Sequence, residues 1–199
     1  MAKVVKFPVI PPKKLGARKV RKRKRDRMED MGQLNLFDQS KIIAFQHAGN
    51  FFEEALALDE RNDPRAEELY LKAISQRQSV ADAHCNLGIL MSHQHKLTEA
   101  IDHLTICLKE DPRHFEAHYN LANVYSDTGN LELAKIHYTV AIEIEPEFPN
   151  SHYNLGLVHI SLKNYKEAIP CINNYIELSP ESDHAVAIEL LKTLTSIAQ

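Results

Sequence analysis

Residues 81–114 read ADAHCNLGILMSHQHKLTEAIDHLTICLKEDPRH, residues 115–148 read FEAHYNLANVYSDTGNLELAKIHYTVAIEIEPEF, and residues 149–182 read PNSHYNLGLVHISLKNYKEAIPCINNYIELSPES. Laid in register at a spacing of 34, the same columns reappear: Leu87, Leu121 and Leu155; Gly88, Ala122 and Gly156; Ala100, Ala134 and Ala168; Pro112, Pro146 and Pro180. In the first block Leu87, Leu90 and Met91 recur at helical spacing. After a polar break at residues 92–96, Leu97, Ala100, Ile101, Leu104 and Leu108 do so again. Each block is therefore two amphipathic helices joined by a tight turn, and one hairpin cannot bury both of its faces without a neighbour. Gly129 supplies a left-handed turn residue in the middle block, whereas His95 and Lys163 hold the equivalent places and should be slightly strained there.

These columns resemble the tetratricopeptide repeat family, whose unit is a helical hairpin of this length. In that family small residues at the eighth, twentieth and twenty-seventh places let paired helices approach closely, and a proline closes each unit. The resemblance implies an all-α fold, an α-solenoid of helical hairpins whose role is to bind other proteins. Extended backwards, the register places a degenerate unit at 47–80. Its second half fits through Ala66, Tyr70 and Ala73, but Glu53 and Glu54 replace the Leu-Gly pair of its first half. Phe45, Phe51, Phe52, Leu56 and Leu58 still supply an apolar helix, and Asp63-Pro64 starts the second one. The array thus spans 41–182. Residues 183–199 form a capping helix with Ala187, Leu190, Leu191, Leu194 and Ile197 on one face and Glu189, Lys192, Thr193 and Ser196 on the other, Ser182 or Asp183 being the cap residue.

The resemblance also implies where a partner sits. In the family the first helix of each hairpin lines a concave groove through its second, fifth, sixth, ninth, twelfth and thirteenth places. Those places here hold Asp82, Cys85, Asn86, Ile89, Ser92 and His93; then Glu116, Tyr119, Asn120, Asn123, Ser126 and Asp127; then Asn150, Tyr153, Asn154, Leu157, Ile160 and Ser161. Asn86, Asn120 and Asn154 recur at the sixth place. A carboxamide offers both donor and acceptor, so such a row can grip the backbone of an extended peptide without reading its side chains; the alternative is that asparagine simply favours the place before Leu-Gly. Some family members clamp chaperone carboxylates with Lys and Arg, but the corresponding places are Phe51, Ala55, Glu116 and Asn120. With Asp82, Glu116 and Asp127 present, the expected ligand is a neutral or basic protein segment or peptide. One basic candidate is the chain's own N-terminal tail.

The net charge of −3 conceals an asymmetry: residues 1–27 carry twelve Lys or Arg against Asp26, a balance of +11, which leaves −14 for the remainder. Pro8, Pro11 and Pro12 break any helix there, and residues 1–40 read as a basic, unstructured tail and linker. Arg18, Lys19, Arg21, Lys22, Arg23, Lys24 and Arg25 are candidate DNA or RNA phosphate contacts. The same run, preceded by Lys13-Lys14, resembles a bipartite nuclear import signal, and a third reading is a solvated tail that keeps the protein soluble or folds loosely onto its own acidic body. Next comes Gln33-Leu34-Asn35-Leu36-Phe37, which resembles the short peptide that docks bacterial replication and repair proteins onto the sliding clamp. Gln33 would make the polar contacts there, and Leu36 and Phe37 would enter the apolar pocket. Alternatively Leu34, Leu36 and Phe37 cover the open end of the first repeat.

Several functions find no support in the residues. There is no phosphate-cradling glycine loop and no nucleophile signature, so no catalytic residue and no cofactor or small-molecule site is expected. His84, His118 and His152 recur at the fourth place, where a planar ring fills the gap between helices, and His93 with His95 lacks a third ligand, so no metal is expected. Cys85, Cys107 and Cys171 form no CxxC pair and read as reduced thiols. No apolar run reaches the length of a membrane span, and the expected location is cytoplasmic.

Overall fold

The computed structural model describes residues 14–20 and 50–198. Among the described residues there are nine α-helices and no strand: α1 (Phe51–Asp59), α2 (Arg65–Ser75), α3 (Val80–His93), α4 (Leu97–Glu110), α5 (Phe115–Asp127), α6 (Leu131–Ile144), α7 (Pro149–Ser161), α8 (Tyr165–Leu178) and α9 (His184–Ala198), the last preceded by a 3-10 turn at Glu181–Asp183. Helices pair as α1–α2, α3–α4, α5–α6 and α7–α8, and each hairpin packs its second helix on the first helix of the next. The array is thus an all-α solenoid held together by nearest-neighbour contacts.

The recurring small residues mark where the two helices of a hairpin touch. Ala100, Ala134 and Ala168 are fully buried, as are Leu104 and Ile172 across from Gly88 and Gly156. A Cβ at Gly88 would lie 2.6 Å from Leu104 Cγ, and one at Gly156 2.7 Å from Ile172 Cδ1, so these places admit no side chain while the neighbours stay where they are. The middle hairpin instead combines Ala122 with Tyr138, both fully buried.

The turns close alike. Gly129, His95 and Lys163 all adopt left-handed backbone, with φ of 77°, 61° and 63°. After each, one amide reaches back over five residues: Lys96 N–H to Met91 C=O, Asn130 N–H to Tyr125 C=O and Asn164 N–H to His159 C=O, at 2.8–2.9 Å. These are helix-closing Schellman turns, in which glycine is the unstrained occupant. The degenerate unit uses the same device with Asn62 (φ 54°), but its first helix has only nine residues. Helix α2 begins directly after Pro64, where Asp63 accepts the Arg65 N–H at 3.0 Å and pairs with its guanidinium.

At the far end Ala187, Leu190 and Leu194 of α9 are buried against α8. The outer face is less polar than the sequence pattern implies, since Val186 and Ile188 are 58% and 40% exposed. No helix among the described residues is long and apolar enough to cross a membrane.

Candidate functional site

Helices α3, α5 and α7 present Asn86, Asn120 and Asn154 to one groove, and residues 14–20, read from sequence as part of an unstructured tail, lie extended along it. Each carboxamide takes both backbone groups of a single residue. Asn154 Oδ1 accepts the Leu15 N–H at 2.8 Å and its Nδ2 donates to Leu15 C=O at 2.9 Å. Asn120 does the same with Arg18 at 3.0 and 2.8 Å, and Asn86 with Val20 at 2.9 and 3.2 Å. A neighbouring β-strand would offer the same donor and acceptor pair. With the segment in place the three asparagines are at most 2% exposed, and these bonds help to satisfy their buried carboxamides. The segment runs opposite to the repeat order, from the α7 end at Leu15 to the α3 end at Val20.

Side chains of the segment fall into distinct surroundings. Leu15 packs against the cluster of Tyr153, Leu157 and Ile160. Lys14 Nζ lies 2.6 Å from Asp127 Oδ2; burial pushes its pKa down, and the Asp127 carboxylate works against that shift. Tyr119 Oη sits 2.9 and 2.8 Å from the carbonyls of Leu15 and Gly16, and burial raises its phenol to about 12, so it remains a donor. The Arg18 guanidinium lies 5.0 and 4.7 Å from the ring centres of Phe115 and Phe148, which meet edge to face. Its Nη1 is 2.9 Å from Glu145 Oε2, and its Nε is 3.9 Å from Glu116 Oε1. Lys19 Nζ lies 2.7 Å from Asp59 Oδ1, and the Tyr70 hydroxyl donates to the other oxygen of that carboxylate at 3.3 Å. Val20 is fully enclosed among Cys85, Ile89, Leu121 and their neighbours. Gly16 and Ala17 are exposed beside a cavity of about 800 Å³ bounded by Ile89, Ser92, His93 and Asp127.

Asn86, Ile89, Glu116, Tyr119, Asn120, Asn123, Asp127, Tyr153, Asn154 and Leu157 therefore all meet the segment or its immediate shell, and His93 stands at the rim. Asn123 contributes its backbone carbonyl to Lys14, while its side chain accepts from Tyr138 and Asn154. Phe115, Phe148, Glu145, Asp59 and Tyr70 are groove residues that the sequence pattern does not assign to the groove. Glu145 and Phe148 belong to the link between hairpins, outside the first-helix places, and Asp59 belongs to the degenerate unit. The excess of acid over base in residues 28–199 was the one available signal. Arg18 and Lys19, candidate phosphate contacts, here face carboxylates. Arg21 through Arg25 and the Gln33, Leu34, Leu36 and Phe37 stretch lie outside the described residues.

A family model described as tetratricopeptide repeat matches residues 115–148, and a second of the same description matches residues 149–182. Residues 115–182 are two tetratricopeptide repeats. Solved structures share its fold: the first repeat domain of Spaghetti (RPAP3) bound to the HSP90 peptide SRMEEVD aligns at 22% identity with a TM-score of 0.55, over 60% of this chain and 94% of that one. The Sgt2 repeat domain from Aspergillus fumigatus aligns at 22% identity with a TM-score of 0.55, over 61% and 80%. MamA from Desulfovibrio magneticus RS-1 aligns at 17% with a TM-score of 0.61, over 74% and 93%. No curated protein is matched in sequence. At such identities the likeness is one of fold, and the tetratricopeptide fold is typically non-catalytic.

Three further polar clusters of the array are structural. His84 and His118 are 9% exposed, and each meets a second histidine across its hairpin: His84 Nδ1 is 3.0 Å from His103 Nδ1, and His118 Nδ1 is 2.9 Å from His137 Nδ1. Burial lowers the pKa of all four, that of His137 to about 4. Cys85, Cys107 and His114 bring ligand-type atoms within 4.8 Å of one another in the interior. His114 Nδ1, however, accepts the Ala117 N–H at 3.2 Å as the cap of α5, and Nε2 faces Asp82 Oδ1 at 2.9 Å. Both ring nitrogens are thus committed, and the cluster reads as a buried network holding α5 to α3. Hydrogen bonding from Cys85 draws the Cys107 thiol down, whereas burial pushes that of Cys85 up.

Proposed function

We propose that this chain is a non-catalytic interaction scaffold that takes an extended, neutral or basic segment of a partner protein into the groove lined by α3, α5 and α7. The observation that carries the reading is the asparagine row, in which three buried carboxamides each pair with the N–H and C=O of one residue. Backbone pairing of this kind supplies affinity without demanding a sequence, and the flanking pockets supply selectivity. The Spaghetti domain holds an acidic peptide. Here the groove offers Glu116, Asp127, Glu145 and Asp59 to the segment, which favours the opposite charge. Residues 14–20 occupy the groove in the resting chain, so a partner has to displace them.

The test is affinity isolation from native lysate using the full chain and an Asn86→Ala, Asn120→Ala, Asn154→Ala variant whose helicity matches by circular dichroism. Photo-crosslinking from position 93, at the groove rim, identifies the captured segment. Crosslinks to basic segments of other proteins that vanish in the triple variant support the reading. Identical crosslinks with and without the asparagines overturn it.

A further inference from the structure

The groove reads side chains as well as backbone, and residues 14–20 display the pattern it accepts. Building on the groove reading above, we propose that the partner carries an extended segment of the form Lys-aliphatic-x-x-Arg-Lys-Val, bound in the register that residues 14–20 occupy in the resting chain.

Each term of that pattern follows from a contact. The three gripped residues, Leu15, Arg18 and Val20, must keep their N–H groups, so none of these places admits proline. The place of Arg18 calls for a flat cation, because its guanidinium lies against two phenyl rings and within reach of Glu145 and Glu116. An ammonium can meet the charge there but has no planar face to lay on the rings. Lys19 reaches Asp59, which is 3% exposed, so the carboxylate has little other than this cation and the Tyr70 hydroxyl to satisfy it. The place of Val20 is a closed apolar pocket that a charge cannot enter without heavy cost. Gly16 and Ala17 are free places: a Cβ on Gly16 would meet nothing within 4 Å. Register matters because the gripped residues are spaced three apart and then two apart. A slip by one residue would put Lys19 or Arg21 over the closed pocket.

The occupant is best assigned to a separate protein because residues 14–20 already fill the site in the chain's own copy. A tethered segment that satisfies every contact acts as a competitor, and an incoming segment with the same pattern replaces the contacts one for one. The test is fluorescence anisotropy with a labelled peptide copying residues 12–22, titrated with the wild-type full chain and with full chain carrying Arg18→Glu and Val20→Asp. Both changes lie outside every helix, and matched circular dichroism spectra verify the fold. The double variant is expected to bind the peptide at least tenfold more tightly than wild type, whose own segment competes. On the peptide, Arg18→Ala or Val20→Asp should weaken binding tenfold or more, Arg18→Lys about fivefold, and Gly16→Ala less than twofold.

A composition-matched scrambled peptide that binds as well as the native one overturns the pattern. If that shared binding disappears when Asn86→Ala, Asn120→Ala and Asn154→Ala are added, the groove reading survives while the pattern falls. If it persists, both fall. Failure of any peptide to bind the double variant overturns the pattern. So does a wild-type dimer, measured by light scattering, that Val20→Asp dissociates, because the occupant would then be a second copy.

Discussion

Asn120 shows what one side chain contributes at the groove. Its carboxamide satisfies Arg18 N–H and C=O at once, at 3.0 and 2.8 Å. Asn120→Ala leaves both groups unpaired beside a buried wall, a loss of about 1–3 kcal/mol for residues 14–20. Asn120→Asp, nearly the same shape, should be as damaging, since a carboxylate keeps the acceptor but turns a second acceptor toward the Arg18 carbonyl. Hydrogen exchange of the full chain checks this: the amides of Arg18 and its neighbours should exchange at least tenfold faster in both variants, and unchanged protection would remove the asparagine row as the holding element. The same scale governs the turns. Lys163 is held at φ 63°, a conformation that costs an L-residue about 1–2 kcal/mol relative to its preferred regions. Lys163→Gly relieves that strain but gains unfolded-state freedom, so the expected outcome is a net stabilisation of up to about 1 kcal/mol. Thermal denaturation should show a raised midpoint for Lys163→Gly and a lowered one for Gly129→Ala.

The hairpin is the unit at which sequence and structure correspond most closely. Small residues at Gly88, Ala100, Gly156 and Ala168, the turn places His95, Gly129 and Lys163, and the asparagine row all follow from the 34-residue register, because each is a demand that every hairpin makes again. Gly88→Val tests that demand: its side chain would strike Leu104 and the Ala100 carbonyl, and overpacking of this kind costs about 1–3 kcal/mol in chemical denaturation. What the register does not disclose is what happens once. The Arg18 site is built from Phe148 and Glu145 in one link between hairpins, and Asp59 enters from a first helix shortened to nine residues. The histidine column was legible as a filler, but its partners, His103 and His137, form a second column on the opposite helix, and the shared 34-residue spacing is the signal that links the two. Those pairs make the hairpins pH-sensitive. The folded chain keeps His118 and His137 neutral, with His137 lowered from 6.5 to about 4. Between those values the unfolded chain binds protons that the folded one refuses, so the pair's contribution is intact above about pH 6.5 and is lost as pH falls toward about 4. Urea denaturation from pH 7.5 down to pH 4.5 should show this loss, and His137→Gln should flatten it; an equal slope in both chains would exclude the pair as the cause.

On the scale of the whole molecule, any phosphate bound by the basic run would compete with the groove for the same charges. Arg18 and Lys19 pair with Glu145 and Asp59 when residues 14–20 fill the groove, and a cation in such a pair is not available to a phosphate. Residues 21–25 add five more Lys or Arg immediately beyond. If the run binds single-stranded nucleic acid, each phosphate neutralised contributes about −0.7 to the slope of log affinity against log salt. Lys14 is held by Asp127 in the same way, so a chain that keeps its groove filled uses three fewer cations than one whose groove has been disabled. The Asn86→Ala, Asn120→Ala, Asn154→Ala variant should therefore bind oligonucleotide more tightly at low salt, with a slope steeper by about 2.1. Coupling of this kind is reciprocal, so saturating oligonucleotide should also raise the hydrogen exchange of residues 14–20 in the wild-type chain. Equal slopes, with exchange unaffected by oligonucleotide, would mean that the run and the groove act independently. A steeper slope together with accelerated exchange would make the tail a single switchable element, in which a polyanion opens the groove by withdrawing the cations that help to close it.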